Sequence, residues 1–271
     1  MTQLTRRRRP GVIQGATRLL LGVVCVAGAV QGFRYAAADF IAIGPRATLN
    51  EAAGKGHLPR NLDWGPSYRL LATAADIKPR DARMQYELGR IAWIDALNPA
   101  LSRTVMLDRL DRAASHLERA ARLRPAWGRT WADLANVHYL RGHYTRSLAD
   151  LRTAMRLTPY ELATQQLIVG TGFALWPVLD DTDRAALMTI ARHVARYSSR
   201  AILINATVPF RRESLIRELV EPYPLDLHYL ERRVRDRRER HAASPSAARP
   251  AINGFGRQTR TAPGLPGSTA G

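Results

Sequence analysis

The stretch TWADLANVHYLRGHY, Thr130 to Tyr144, carries two histidines, two tyrosines and a tryptophan. Imidazoles ligate metals and move protons, so the first question is whether His138 and His143 can serve one centre. On a single helix a metal pair stands at i, i+4, whereas a separation of five turns the two rings about 140° apart. Trp131, Leu134, Ala135 and His138 instead follow i, i+3, i+4, i+7, the spacing of one packed helix face. The stretch reads as packing, and no metal is expected there.

Other candidates resolve the same way. The run DDTD, Asp180 to Asp183, resembles a fragment of a calcium loop but lacks its alternating ligands and closing glutamate. Asp181 or Thr182 as a helix N-cap, with acids favoured by the helix dipole, accounts for it. The GTG at Gly170 to Gly172 has no strand before it, and suits a helix interruption or a close-packing site. Asn205 to Thr207 matches a glycosylation sequon too short to carry weight. Cys25 is the sole cysteine, so no internal disulfide can form. No phosphate-binding loop, dinucleotide fingerprint, nucleophile elbow or zinc spacing occurs. The expectation is a non-enzymatic chain with no catalytic residue and no cofactor.

A formal charge of +18 raises nucleic acid as a partner. The distribution argues against it. Arg6, Arg7, Arg8, Arg9 and Arg18 precede the first apolar run, and nine arginines lie from Arg232 onward against only Asp236 and Glu239. The middle is mildly basic, and no nucleic acid is expected.

The elements that must position any site begin with RRRRPGVIQGATRLLLGVVCVAGAVQGFRY, a basic head followed by an apolar run. Leu19 to Phe33 is free of charge, and a snorkelling Arg18 extends the span to about residues 13–36, with Tyr35 at the far interface. Four arginines ahead of the span predict a cytoplasmic N-terminus and a single pass through a bacterial inner membrane, with the rest of the chain periplasmic. A cleaved signal peptide, cut after AGA at Ala27 to Ala29 or AAA at Ala36 to Ala38, is the rival reading. The expected organisation is a basic head over 1–12, the anchor over 13–36, a linker over 37–62, a helical domain over 63–230 and a disordered basic tail over 231–271. That tail is rich in Arg, Ala, Pro, Gly and Ser and has too little apolar surface to offset the entropy of ordering it.

Within the helical domain Pro125 and Pro159 stand 34 residues apart, the period of a tetratricopeptide (TPR) repeat, each behind a similar helix, AASHLERAARLRP and RSLADLRTAMRLTP. With Pro159 as the thirty-second repeat position, Trp131, Leu134, Ala135, Leu151 and Ala154 occupy the signature places and Gly142 the turn. Upstream, Leu88, Gly89, Ala113, Leu117, Ala120 and Pro125 fit the same frame once 12 residues are inserted, roughly Ile94 to Val105 around LNPALS. Pro79 precedes Pro125 by 46 residues, one period plus that insertion, so LLATAADIKP reads as the second helix of an earlier half repeat. After Pro159 another helical pair and a last helix near Arg211 to Val220 complete the stack. The fold class expected is all-α, a tetratricopeptide-like helical-hairpin solenoid behind a transmembrane helix.

Stacked hairpins present a concave surface lined by their first helices. In this frame it carries Arg83, Tyr86, Arg90 and Trp93 from one repeat and Arg129, Ala132, Asn136 and Tyr139 from the next. Arginine forks, an amide and aromatic rings suit an extended peptide, a carboxylate or a sugar ring. Burial of Tyr86 and Trp93 against the insertion is the competing reading.

From Gly22 to Ala206 the order of features is similar to the VpsP-like family of anchored TPR proteins from bacterial exopolysaccharide loci. The likeness rests on an anchor running into FRYAAADF, a half repeat, an interrupted repeat, RPAWGRTWADLANV, and LTPYELATQQLIVGTGFALW with its Pro159, Tyr160, Glu161 and Trp176. The resemblance implies an adaptor among proteins of a polysaccharide assembly or secretion complex, and it supplies no catalytic residue. A module that binds an acidic glycan directly is the alternative, and a generic TPR scaffold a further one.

Overall fold

The structure, a computed structural model, describes residues 10–54, 63–197, 203–204, 206, 214–220 and 231–239. Among them only helices occur: α1 Pro10–Gly54, α2 Gly65–Ile77, α3 Ala82–Ala96, α4 Arg103–Leu123, α5 Gly128–Leu140, α6 Tyr144–Leu157, α7 Leu162–Leu175, a 3₁₀ turn Trp176–Val178, α8 Asp181–Tyr197 and α9 Ser214–Val220. Neighbours in sequence pack as neighbours in space, and α5 also lies against α7.

Local chemistry sets the ends. Asp81 accepts from the backbone N–H groups of Arg83 and Met84 at the start of α3, and Ser102 Oγ accepts from Val105 N at 3.3 Å at the start of α4. Between α5 and α6 the chain turns at Gly142, whose φ of +81° is strained for residues with a Cβ. Pro125 and Pro159 follow α4 and α6, where an imino acid cannot continue the ladder.

Small residues sit where helices touch. A Cβ added at Gly89 would lie 2.6 Å from Leu117 Cγ, so α3 and α4 approach more closely there than alanine permits. Ser147 Oγ donates to Ala135 O at 2.6 Å across the buried α5–α6 contact. Leu88, Ala113, Leu117, Ala120, Leu134, Ala135, Leu151 and Ala154 are all buried. Trp131 is only partly buried and donates from Nε1 to Pro125 O at 2.8 Å, tying α5 to the preceding turn.

Two expectations change, for the linker and the tail, and the inserted residues take a definite form. The linker over 37–62 is helical as far as Gly54, because α1 passes straight from its apolar stretch into the domain. Ala38, Ala42, Pro45 and Leu49 of α1 are buried, and the first, second and fourth join Leu71, Ala74 and Ala75 of α2 and Met84, Leu88 and Ile91 of α3 in one cluster. Helix α2 therefore has a partner helix, supplied by the C-terminal half of α1. Pro45 lies inside α1, where a missing N–H and a ring clash cost about 3 kcal/mol; apolar burial at roughly 25 cal/mol per Å² offsets it.

The 12-residue insertion is no separate loop. α3 is two residues longer than α5, the α3–α4 connection three longer than the α5–α6 turn, and α4 seven longer than α6, so one hairpin is extended at its far end. Of the tail over 231–271, residues 231–239 are helical and Val234 is buried in the main cluster, since one apolar side chain finds a place while its basic neighbours reach solvent. Residues 240–271, residues 1–9 of the basic head and the sequon's Asn205 and Thr207 lie outside the described residues.

Thr17–Glu51 is long and apolar enough to cross a membrane, and Leu19, Leu20, Val23, Val26, Val30 and Phe33 are more than half exposed. Among the described residues nothing covers that surface, whereas beyond it Ala38, Ala42 and Leu49 are buried on one face of α1 while Phe40 and Ile43 stay exposed on another.

Candidate partner-binding site

The side chains expected to line a concave face divide into three groups. Arg83, 63% exposed, donates from Nε to Glu87 Oε1 at 2.9 Å. Glu87 is nearly buried and receives Arg46 Nε of α1 as well, at 3.0 and 2.9 Å to its two oxygens. Arg83 thus belongs to the clamp between α1 and α3. Asn136 is buried and donates from Nδ2 to Thr171 Oγ1 of α7 at 3.2 Å. Tyr139 is buried with its ring centroid 5.5 Å from that of Tyr144, and Ala132 is buried too. For these three an open groove is corrected to a helix contact: α7 packs on α5 and fills the place a ligand would need.

Of the remaining four, Tyr86, Arg90 and Arg129 converge, and Trp93 lies one turn beyond Arg90 on α3. The Tyr86 ring stands 4.5 Å from Trp127, and the guanidiniums of Arg90 and Arg129 each lie 5.8 Å from its centroid. Beneath them is Asp133, fully buried, its Oδ2 4.0 Å from Arg90 Nε. Tyr86 Oη and Asp133 come near each other yet complete no hydrogen bond of normal geometry. Five buried polar atoms here have no hydrogen-bond partner: Tyr86 Oη, Arg90 Nε, Trp93 Nε1, Thr130 Oγ1 and Asp133 Oδ2. Each such atom costs about 1–3 kcal/mol of desolvation. Burial raises the Asp133 carboxyl above its ordinary range, with Arg90 pulling the other way. Burial likewise pushes the Tyr86 phenol well up, and the Asp133 charge adds to it.

Asp133, Thr130 and Trp127 escaped the reading of the inner face. The signal for Asp133 was a lone acid inside the apolar run TWADLANV, one place beyond the position assigned to the groove.

The two histidines of the opening stretch lie closer than the single-helix argument allows. His143 follows the turn at Gly142 and leads α6, so its ring stacks on that of His138 at 6.2 Å. His138 is buried, with Nδ1 2.6 Å from Asp150 Oδ2 and Nε2 3.6 Å from Glu118 Oε1, which joins α4, α5 and α6. Asp150 supplies the partner that lets an imidazole sit in this buried position. Among the described residues no group of three His, Cys, Asp or Glu could hold a metal ion. At the other end of the domain, Arg152 grips Asp183 and Asp180 at 2.7 and 2.8 Å, so the acidic run pairs with α6. Asp180 Oδ1 accepts from Asp183 N at 2.8 Å as a helix cap, the role expected one residue later. Gly172 lies against Leu187, the close-packing alternative for the GTG.

No protein-family model, curated protein or solved structure matches this chain. The functional reading therefore rests on the site itself: donors from two arginines and a tyrosine gathered round one acceptor and partly bounded by aromatic rings.

Proposed function

We propose that this chain is a non-enzymatic, membrane-anchored adaptor of tetratricopeptide type, working in the biosynthesis or export of a surface polysaccharide. In this reading α1 holds the chain in the bacterial inner membrane with its N-terminus cytoplasmic, and the helical domain captures a partner protein in the periplasm. The observation that carries the reading is the set of five unpartnered buried polar atoms between α3 and α5. A partner segment offering carboxylate or carbonyl oxygens to Arg90, Trp93 and Tyr86, and a donor to Asp133, would satisfy groups the fold leaves unsatisfied. The 34-residue spacing, the small residues at the α3–α4 and α5–α6 contacts and the order of features shared with the VpsP-like family support the repeat and pathway assignments.

The test is Arg90→Gln with Arg129→Gln in the full chain, expressed in the host. Cross-linked partner recovery and polymer yield should fall together while helicity is unchanged. Undiminished recovery and yield would dispose of the site. Titrating the detergent-purified chain with an acidic polysaccharide separates the glycan-binding alternative: a salt-sensitive change in tryptophan fluorescence, abolished by the same substitutions, would favour direct glycan contact.

A further inference from the structure

The helical domain packs on α1 from Ala38 onward, while Phe40 and Ile43 on another face of α1 remain exposed. Lys78 Nζ lies 5.2 Å from the centroid of the Tyr35 ring and 2.6 Å from Asp39 Oδ2, which holds the α2–α3 turn at the level of Tyr35. Tyrosine is a residue of membrane–water interfaces. Arg119 Nη2 donates to Pro79 O at 3.0 Å, so the C-terminal end of α4 and the α4–α5 turn share that edge. The two turns read KPRD, 78–81, and RLRPAW, 122–127.

Arg34, Arg80, Arg119, Arg122 and Arg124 are all exposed there, as is Leu123. The facing acids are few. Asp39 pairs with Lys78, Asp81 caps α3, Glu118 reaches toward His138, and Asp76 is exposed. The turn at the other end of the α3–α4 hairpin, LNPALS, has no charged residue. A helix dipole favours cations at a C-terminus, which accounts for Arg122. It opposes Arg80, which stands just before the N-terminus of α3.

We propose that this edge, with Arg34, Arg80, Arg119, Arg122 and Arg124 around Leu123, rests on the anionic phospholipid headgroups of the bilayer that α1 crosses. Cations within a Debye length of an anionic leaflet, roughly 8–10 Å, are drawn to it. The continuous α1 and its buried clamp to Glu87 fix the domain beside the end of the span, so this edge faces the bilayer. The inference rests on α1 being the anchor.

The test uses the full chain in proteoliposomes. A fluorophore on the native Cys25 reports insertion through a quencher deep in the acyl chains. In a Cys25→Ser background, single labels at Leu123→Cys, at Ala126→Cys and, on the opposite turn, at Asn98→Cys are exposed to a quencher carried on lipid headgroups. Expected is severalfold stronger quenching at the first two sites than at Asn98, seen with phosphatidylglycerol and weak in purely zwitterionic vesicles. High salt, or Arg80→Gln with Arg122→Gln and Arg124→Gln, should bring it down to the Asn98 level. Equal quenching at both edges, or quenching indifferent to phosphatidylglycerol and salt, with Cys25 still deep, overturns the headgroup contact and leaves the anchor standing. A Cys25 label out of reach of the deep quencher overturns both. A response at Leu123 to added acidic polysaccharide, with none to phosphatidylglycerol, also overturns it and assigns the edge to a glycan.

Discussion

Two junctions between helices bury charge, and they do so in opposite ways. At the α1–α3 junction Glu87 takes both oxygens to Arg46 and one to Arg83, so a nearly buried carboxylate is fully engaged. At the α3–α5 junction Asp133 is more deeply buried and its nearest guanidinium nitrogen stands 4.0 Å away, with four other polar atoms nearby unpartnered. A buried carboxylate that accepts close hydrogen bonds ties elements together, whereas one held by a 4.0 Å ion pair and short of hydrogen bonds carries a desolvation cost. The first junction is a clamp, and the second has the properties of a site.

Four experiments sharpen or break that contrast. Glu87→Ala strands Arg46 in the α1–α3 contact and should cost about 3–5 kcal/mol in urea unfolding of the detergent-solubilised chain. A loss below about 1 kcal/mol would mean the clamp is no stronger than a surface ion pair. Gly89→Ala, within the hairpin between the two junctions, drives a methyl onto Leu117 and should cost about 1–3 kcal/mol, largely recovered by adding Leu117→Ala if overpacking is the cause.

Asp133→Asn should behave unlike Glu87→Ala, with little loss or a gain near neutral pH. The folded carboxyl of Asp133 is raised above its unfolded value, so its contribution is fully present below the unfolded value of about 4 and fades as pH rises through the folded one. The native chain should therefore lose stability with rising pH across that window, and Asp133→Asn should flatten the slope; equal slopes would place the charge in solvent. The smallest effect belongs to Arg83→Ala, where an exposed partner leaves Glu87 still held by Arg46. Differential scanning fluorimetry should show at most about 1 kcal/mol.

Legibility in the sequence followed the range of the forces involved. The ends of α4, α5 and α6 were readable because Gly142, Pro125 and Pro159 act on backbone groups a few residues away, whereas the caps Asp81 and Ser102 emerged only in the structure. The buried stripes Leu88, Leu117, Leu134 and Leu151 were readable from helical spacing. The length of α1 was not, since the apolar span ends near residue 36 and Pro45 weakens the helix beyond it, a cost that contact with α2 and α3 offsets. Nor was the fate of the inner face. Position within a helix places Asn136 and Tyr86 on one side, but whether that side meets solvent, α7 or Trp127 depends on how neighbouring hairpins stack.

By itself the sequence determined that the chain is helical, where its middle helices begin and end, and that an apolar stretch precedes them, because propensity, capping and periodicity are properties of short segments. The tertiary structure alone decided that the C-terminal half of α1 is the first wall of the domain, that the extra residues lengthen one hairpin, and that Asp133 is buried beneath Tyr86 between two arginines. Those outcomes depend on burial and charge pairing between residues far apart in the chain, and such energies exist only once the helices have packed.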